Sequence, residues 1–347
     1  VDLKPETRQG GPVQAASVDE GEAGSGADSP SQTVTRLGRD VAEAVEHVIV
    51  GKHEQVRLLL VALLAEGHVL IDDVPGVAKT LLVRTLGAAL GLRFVRVQCT
   101  PDLLPGDVTG SEVFDQRTSE FQFRPGPIFA NLVLADELNR ATPRTQSSFL
   151  EAMEERQVTV EGTSYPLPRP FLVLATQNPV ELKGTFPLPE AQLDRFLLRL
   201  RMGYPTRDEE AAILARFRVG DPLTEVTPVA GADDLLAARG ATRAVHVAAD
   251  VEGYIVDLVR ATRSARDLLL GASPRSALAL MRAAQASAAL AGRPYVIPDD
   301  VAGLALPVLA HRLLLSRDAA VERRQPESVV ERLLDEVSAP VEATAGD

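Results

Sequence analysis

The chain contains no tryptophan, a single cysteine and three methionines, and aromatic residues make up only 4% of its 347 positions. One cysteine, Cys99, excludes an intramolecular disulfide framework and a multi-cysteine metal site. It falls at the end of an expected strand, where a buried, inert thiol is anticipated. The five histidines, at 47, 53, 68, 246 and 311, are scattered without metal-ligand spacing. The longest uninterrupted apolar run, Leu58 to Ala65, falls far short of the ~20 residues of a membrane span. No basic segment followed by an apolar stretch opens the sequence, so no secretory signal is expected and a cytoplasmic location is. Positive charge is also scarce. A net charge of -12 argues against a protein that mainly coats nucleic acid, although it leaves room for a local basic channel. Only four of the thirty-six basic residues are lysines, which gives each lysine some diagnostic weight.

What remains is an ordinary supply of core-forming residues, 45% hydrophobic over a length that allows two domains or one large domain with a satellite. Residues 1–33 lack aromatics and are rich in Gly, Ala, Ser and acidic residues, so they are expected to be disordered. From 34 to 204, five short runs of β-branched and apolar residues recur at 68–72, 93–98, 131–135, 171–176 and 196–202. The intervals are long enough for crossover helices, which predicts an α/β core with a five-stranded parallel sheet and helices on both faces. Two stretches break the rhythm: "SEVFDQRTSEFQFRPG" (111–126) and "RQVTVEGTSYPLP" (156–168) read as hairpins inserted into that core. Beyond Pro205 the strands nearly cease, and helical patterns at 206–218, 249–265, 274–292 and 298–315 predict a small all-helical domain over 205–320. A C-terminal helix and a frayed tail are expected over 321–347.

The chemistry concentrates at strand ends. "IDDVPGVAKT" (71–80) follows the strand "HVLI" and precedes the helix "TLLVRTLGAAL". A strand, a tight turn and a helix N-terminus together can cradle phosphate, with Lys79 and Thr80 placed to hold it. The loop nevertheless departs from G-x-x-x-x-G-K-[ST] at both glycines, carrying Asp73 and Ala78 there. Gly76 supplies a close backbone approach, and Ala78 is expected to keep a conformation open to L-residues. Taken alone, a plain strand–turn–helix explains the loop equally well.

A second signal is Asp136-Glu137 at the end of the buried run "NLVLAD", where ligands of open parallel sheets bind. One carboxylate of such a pair can hold magnesium and the other can act on the attacking water, whereas the bland reading is two solvated charges. "FLVLATQNP" ends a further strand in Asn178, which either positions a water or simply makes a turn before proline. Arg195 sits just before the fifth strand. In "GASPRSAL", Ser273 is an expected N-cap with Pro274 at the first helical position. Arg275 then falls in the first turn, where a cation works against the helix dipole and needs a phosphate ligand or an ion-pair partner to explain it.

Taken in order, "VIVGK", "HVLIDDVPGVAKT", "TPDLLPGDVTG", "FRPGPIFANLVLADELNRATPRTQSSFLEAMEERQVTVEG", "ATQNPVE", "FPLPEAQLDRF" and "GASPRSAL" resemble the MoxR family of AAA+ ATPases, over roughly residues 40–320. The family tolerates Pro-Gly-x-Ala before Lys-Thr, so the resemblance resolves the loop as nucleotide-binding. It implies a Walker A loop over Pro75, Gly76, Val77, Ala78, Lys79, Thr80 and Leu81, with Thr80 and Asp136 on magnesium and Glu137 as catalytic base. It further implies Asn178 as sensor 1, Arg195 as an arginine finger reaching a neighbouring subunit, Arg275 as sensor 2, and Val50 and Gly51 against adenine. Asn139 and Arg140 take no definite role beyond an interface or coupling position near the acidic pair. The implied activity is ATP hydrolysis with magnesium in a ring oligomer, a hexamer by family pattern. It would drive remodelling or maturation of protein clients with a separate von Willebrand factor A-domain partner. A metal-chelatase-like or nucleic-acid motor is the alternative, disfavoured by the acidic residues Glu112, Asp115 and Glu120 beside Arg117 and Arg124 in the first insert. A nucleotide-gated binding module with little turnover is the reading from another class.

Overall fold

The computed structural model describes residues 30–178, 184–218 and 220–340. Helices α1 (Pro30–Glu46) and α2 (His53–Leu64) precede the first strand, β1 (His68–Asp72). Positions 1–29 of the segment expected to be disordered, and 341–347 of the expected frayed tail, lie outside the described residues. Residues 30–33 instead start α1, whose stripe of Val34, Leu37, Val41 and Val45 is buried and anchors the helix against the rest of the molecule.

Helix α3 (Lys79–Ala89) follows the phosphate-loop segment and leads to β2 (Phe94–Gln98). A short α4 (Pro105–Thr109) then opens the first inserted hairpin, β3 (Gly110–Asp115) with β4 (Glu120–Pro125), which pair antiparallel. Strand β5 (Leu132–Asp136) and helix α5 (Pro143–Glu155) lead to the second hairpin, β6 (Gln157–Val160) with β7 (Thr163–Pro166). Its two turn residues, Glu161 and Gly162, both have positive φ, the twist that a two-residue hairpin loop requires. Strand β8 (Leu172–Gln177), the short α6 (Glu190–Leu193) and β9 (Phe196–Leu200) complete the core.

The five core strands pair in parallel in the order β2-β5-β8-β1-β9. Successive side chains point to opposite faces, and both faces are covered. Val69, Ile71, Leu132, Leu134, Leu172 and Leu174 join α1, α2, α3 and the helical domain in one cluster. Their neighbours Leu70, Val133, Ala135, Val173 and Ala175 join α5 in a second. Double coverage is the reason these strands read as unbroken apolar runs.

After β9 the chain is mainly helical, with α7 (Arg207–Phe217), α8 (Ala232–Arg243), α9 (Ala249–Ser264), α10 (Pro274–Leu290), α11 (Pro298–Leu309), α12 (Arg317–Val321) and α13 (Pro326–Glu336). Leu268–Leu270 and Leu314–Leu315 nevertheless form a short antiparallel pair, so the domain is not all-helical as expected. Helix α13 buries Val329, Val330 and Leu333, and its first turn places Glu327 against Arg199 of β9 at 2.5 Å. No helix among the described residues is long and apolar enough to cross a membrane.

Candidate active site

The C-terminal ends of β1, β5 and β8 converge on a cavity of about 460 Å³ lined by Lys79, Thr80, Asp136, Glu137, Thr176 and Asn178. Pro75, Gly76, Ala78 and Leu81 of the loop also line it. Val77 does not; it is buried in the core cluster and anchors the loop from behind. Val50 and Gly51 lie outside the lining as well. Gly51 faces α7 so closely that a Cβ there would meet the Glu209 side chain at 1.8 Å.

The loop corrects one expectation. Ala78 is left-handed, at φ 60° and ψ 24°, rather than in a region that L-residues favour. It is the residue at which the chain turns from the loop into α3, and Gly76 two residues earlier also has positive φ, at 86°. Asp73 also differs from a passive substitute for glycine. One carboxylate oxygen accepts from the Val74 N–H at 2.7 Å. The other accepts from the N–H groups of Met202 at 2.5 Å and Gly203 at 2.7 Å. The carboxylate thereby fastens the loop to the segment that leads from β9 into the helical domain. Its carbonyl oxygen accepts from the Lys79 ammonium at 2.8 Å. Burial pushes that ammonium below its usual pKa range, and the nearby charge of Asp136, then those of Asp73, Asp72 and Glu137, oppose the shift.

The acidic pair is braced from two neighbouring strands and from the turn that follows β5. Arg96 of β2 donates to one Asp136 oxygen from Nε at 2.9 Å and from Nη2 at 2.6 Å. Thr176 of β8 donates to the other oxygen at 2.6 Å, and its own oxygen accepts from the Glu137 N–H at 2.8 Å. Glu137 is left-handed, at φ 58° and ψ 47°, a strained conformation for this residue type and one that clusters at functional sites. Gln98 donates to its carboxylate at 3.0 Å, and Arg140 pairs with it at 3.3 Å. Sequence reasoning missed Arg96, Gln98 and Thr176. The signal available was a polar pair two residues apart in "FVRVQ", which places both side chains on one side of a strand. Arg140, which had no assigned role, proves to hold Glu137. Asn139 contributes its carbonyl to the Phe186 N–H at 2.6 Å.

Arg195 and Arg275 are not in this cavity. Arg195 precedes β9, and Phe196 pairs with His68 at the start of β1. A five-residue strand is ~17 Å long, so Arg195 sits at the far edge of the sheet from the phosphate loop. There it lines a second, larger cavity of about 770 Å³ between the core and the helical domain. Six arginines line that cavity, at 156, 195, 243, 275, 282 and 312, against three carboxylates, Glu66, Glu154 and Asp194. Ser273 is the N-cap of α10 as expected, accepting from the Ser276 N–H. It also donates to Asp194 at 2.9 Å, so Asp194 is engaged by the helical domain. Arg312 approaches the same carboxylate at 3.5 Å, and burial pushes its pKa down to about 10 against the opposing charge of Asp194.

Cys99 is buried as expected. Burial first, then the charges of Asp136 and Glu137, push its thiol up to about 12. Among the described residues no cluster of three or more His, Cys, Asp or Glu could hold a metal ion. A cation would therefore rely on the phosphates it accompanies, and the hard oxygens of Thr80 and Asp136 in one cavity suit magnesium in that role.

Comparison with known proteins bears on the family and the fold. Residues 68–198 match the family model described as ATPase family associated with various cellular activities (AAA), and residues 260–333 match an AAA lid domain. The uncharacterized protein YeaC of Bacillus subtilis is 49% identical over 308 residues, covering 88% of this chain and 96% of its own. Chaperone MoxR1 of Mycobacterium tuberculosis is 43% identical over 326 residues, covering 91% and 85% respectively. A crystal structure from Cytophaga hutchinsonii superposes with a TM-score of 0.84 at 38% identity, over 90% of this chain and 97% of that one. With a five-stranded parallel core, a helical lid and relatives matched along most of their length, the chain belongs to the MoxR family of AAA+ ATPases.

Proposed function

We propose that the cavity at the ends of β1, β5 and β8 binds ATP with magnesium and hydrolyses it, and that the second cavity completes the same reaction for a neighbouring subunit. The observation that carries this reading is the separation of parts. Lys79, Thr80, Asp136, Glu137 and Asn178 share one cavity, whereas Arg195 and Arg275 share the other. In this reading the loop N–H groups and Lys79 bind the phosphates, and Lys79 gives up its bond to the Asp73 carbonyl to do so. Magnesium, held by Thr80 and Asp136 with the phosphates, would neutralise charge on the transferred group. Glu137, kept in place by Gln98 and Arg140, orients the attacking water and accepts its proton. Asn178 positions that water from the neighbouring strand end. Arg195, with Arg275 beside it, meets the charge that develops on the terminal phosphate of the neighbour's ATP.

A ring, a hexamer by family pattern, supplies the required geometry, since every subunit then offers one cavity of each kind. The work done by hydrolysis is chaperone-like remodelling or maturation of protein clients, in keeping with the name borne by the mycobacterial relative. A separate von Willebrand factor A-domain protein is the proposed partner.

Complementation tests the reading. Arg195→Ala is expected to bind ATP and fold normally yet lose most turnover, because arginine fingers contribute about 10³–10⁵ in rate. Lys79→Ala is expected to lose ATP binding. Mixing the two proteins creates interfaces in which an intact arginine faces an intact loop, and some activity should return. A mixture that co-assembles but stays inactive refutes the action of Arg195 across the interface.

A further inference from the structure

Glu154 lies in the last turn of α5, in the core. Its carboxylate accepts from Arg275 at 2.6 Å through one oxygen and pairs with Arg195 at 2.9 Å through the other. One carboxylate thus holds a guanidinium from the core and one from the helical domain. Neither helix favours its own contribution to this pair. A negative charge in the last turn of α5 opposes that helix's dipole, as does a positive charge in the first turn of α10. The two placements make sense only together, as a contact across the domain boundary. All three side chains are partly exposed, at 34% for Glu154, 32% for Arg195 and 47% for Arg275, so the contact lies at the mouth of the cavity and can exchange partners.

The charge balance of the cavity says what would exchange. Six arginines face three carboxylates, so Glu154 leaves the site short of negative charge. Inside, Arg312 is 5% exposed and its Nη1 has no hydrogen-bond partner. A terminal phosphate carries more negative charge than a carboxylate and offers three oxygens in place of two, which suits two guanidinium groups better than one carboxylate does. We infer that Glu154 is a positioning residue that stands in for the neighbour's terminal phosphate, keeping Arg195 and Arg275 paired and occupied until a triphosphate displaces it. The inference rests on the reading that these arginines act across a subunit interface. It adds a threshold: the arginines change partner only for a ligand more anionic than a carboxylate, so Glu154 makes assembly selective for ATP over ADP.

The test compares the concentration dependence of assembly, by sedimentation velocity, for the full chain with a non-hydrolysable ATP analogue, with ADP and with no nucleotide. Glu154→Gln keeps the shape of the side chain and removes its charge. It should lower the protein concentration needed for assembly with the ATP analogue by about two- to fivefold, the scale of a partly exposed ion pair. It should also narrow the difference between the ATP analogue and ADP. Glu154→Asp retains the charge and should stay near the parent protein. In steady-state turnover, Glu154→Gln should lower KM for ATP with kcat little changed. A carboxylate that merely braced the two domains would give the opposite result, weaker assembly and a lower melting temperature, and that result or an unchanged threshold overturns the inference. Arg195→Ala, run in parallel, separates the two levels. If it leaves assembly and turnover unaltered, the trans reading fails and the threshold role of Glu154 fails with it. If it impairs them while Glu154→Gln does not ease assembly, only the role of Glu154 is lost.

Discussion

Replacing Asp73 with glycine would restore the first glycine of the common phosphate-loop pattern, and the structure indicates that this should damage the protein. The Asp73 carboxylate accepts three backbone N–H groups, from Val74, Met202 and Gly203, at 2.7, 2.5 and 2.7 Å. Hydrogen bonds to a charged acceptor contribute about 1.5–3 kcal/mol each. The full sum overstates the loss, because the Gly203 contact is exposed and its N–H recovers a bond to water. We therefore expect Asp73→Gly to lower stability by about 2–4 kcal/mol. Asp73→Asn should cost about half as much, since an amide has one acceptor oxygen and must turn its NH2 toward either Val74 or the 202–203 pair. The tether also fixes where the loop stands relative to the lid linker, so ATP affinity should fall as well. If about 1.4 kcal/mol of the tether serves to hold the loop in its binding shape, the dissociation constant rises about tenfold. Urea unfolding followed by titration with a fluorescent ATP analogue measures both quantities. An Asp73→Gly protein with parental stability and affinity would refute the tether, and would mean that the aspartate merely replaces a glycine.

Three further outcomes follow from the same geometry. Ala78→Gly removes a left-handed L-residue, which costs about 1–2 kcal/mol, against about 0.4–1 kcal/mol of added unfolded-chain entropy; urea unfolding should show a net gain, and a loss would contradict the observed turn. Lys79→Ala should lose ATP binding while Glu137→Gln should bind ATP and hydrolyse it poorly, and equal binding loss in both by nucleotide titration would overturn the division of roles. His68 and His311 are held neutral, their pKa values well below the ordinary histidine range because of burial first and then Arg156 and Arg312 respectively. The unfolded chain therefore binds more protons below about pH 6.5, and stability should fall as pH drops from 7 to 5; a rise in the urea midpoint over that window would contradict the buried neutral state.

The inserted hairpins offer a test of coupling that leaves the nucleotide cavity untouched. Phe114 and Phe121 pack edge to face, with centroids 5.3 Å apart, on a solvent-facing side of β3 and β4. Nothing in nucleotide chemistry requires an exposed aromatic pair, which favours contact with a client or partner. Replacing the turn at residues 116–119 by a short Gly-Ser link should spare folding and basal ATP turnover while weakening partner-stimulated turnover. Unchanged stimulation in a reconstituted assay would remove this role from the first hairpin.

The parts of this molecule legible in its sequence are those set by local physics. Doubly covered strands must be apolar on both faces, so all five announced themselves, and the strand–turn–helix of residues 68–90 was visible despite two missing glycines. Helix α8 was missed because its twelve residues include Gly240 and rely on only a few buried positions, among them Leu235 and Ala238. The left-handed conformation of Ala78 was not legible, because side-chain type sets only a preference whereas the turn from the loop into α3 sets the backbone.

The site residues that escaped notice share a different cause. Arg96 reaches Asp136 because β2 pairs with β5 in the register that sets Gln98 beside Asp136, and Thr176 reaches both acidic residues because β8 lies on the other side of β5. Strand order is a long-range property, and residues forty positions apart carry no local mark of the partner they will meet. The same holds for Arg195 and Arg275. Each was individually conspicuous, one before a strand and one in the wrong turn of a helix, but Arg195 meets Glu154 only through the folding of the core, and Arg275 only through the closure of the helical domain over it. Single residues could thus be nominated from sequence because their types were locally out of place. Their grouping could not, and the grouping separates what a subunit does with its own nucleotide from what it offers its neighbour.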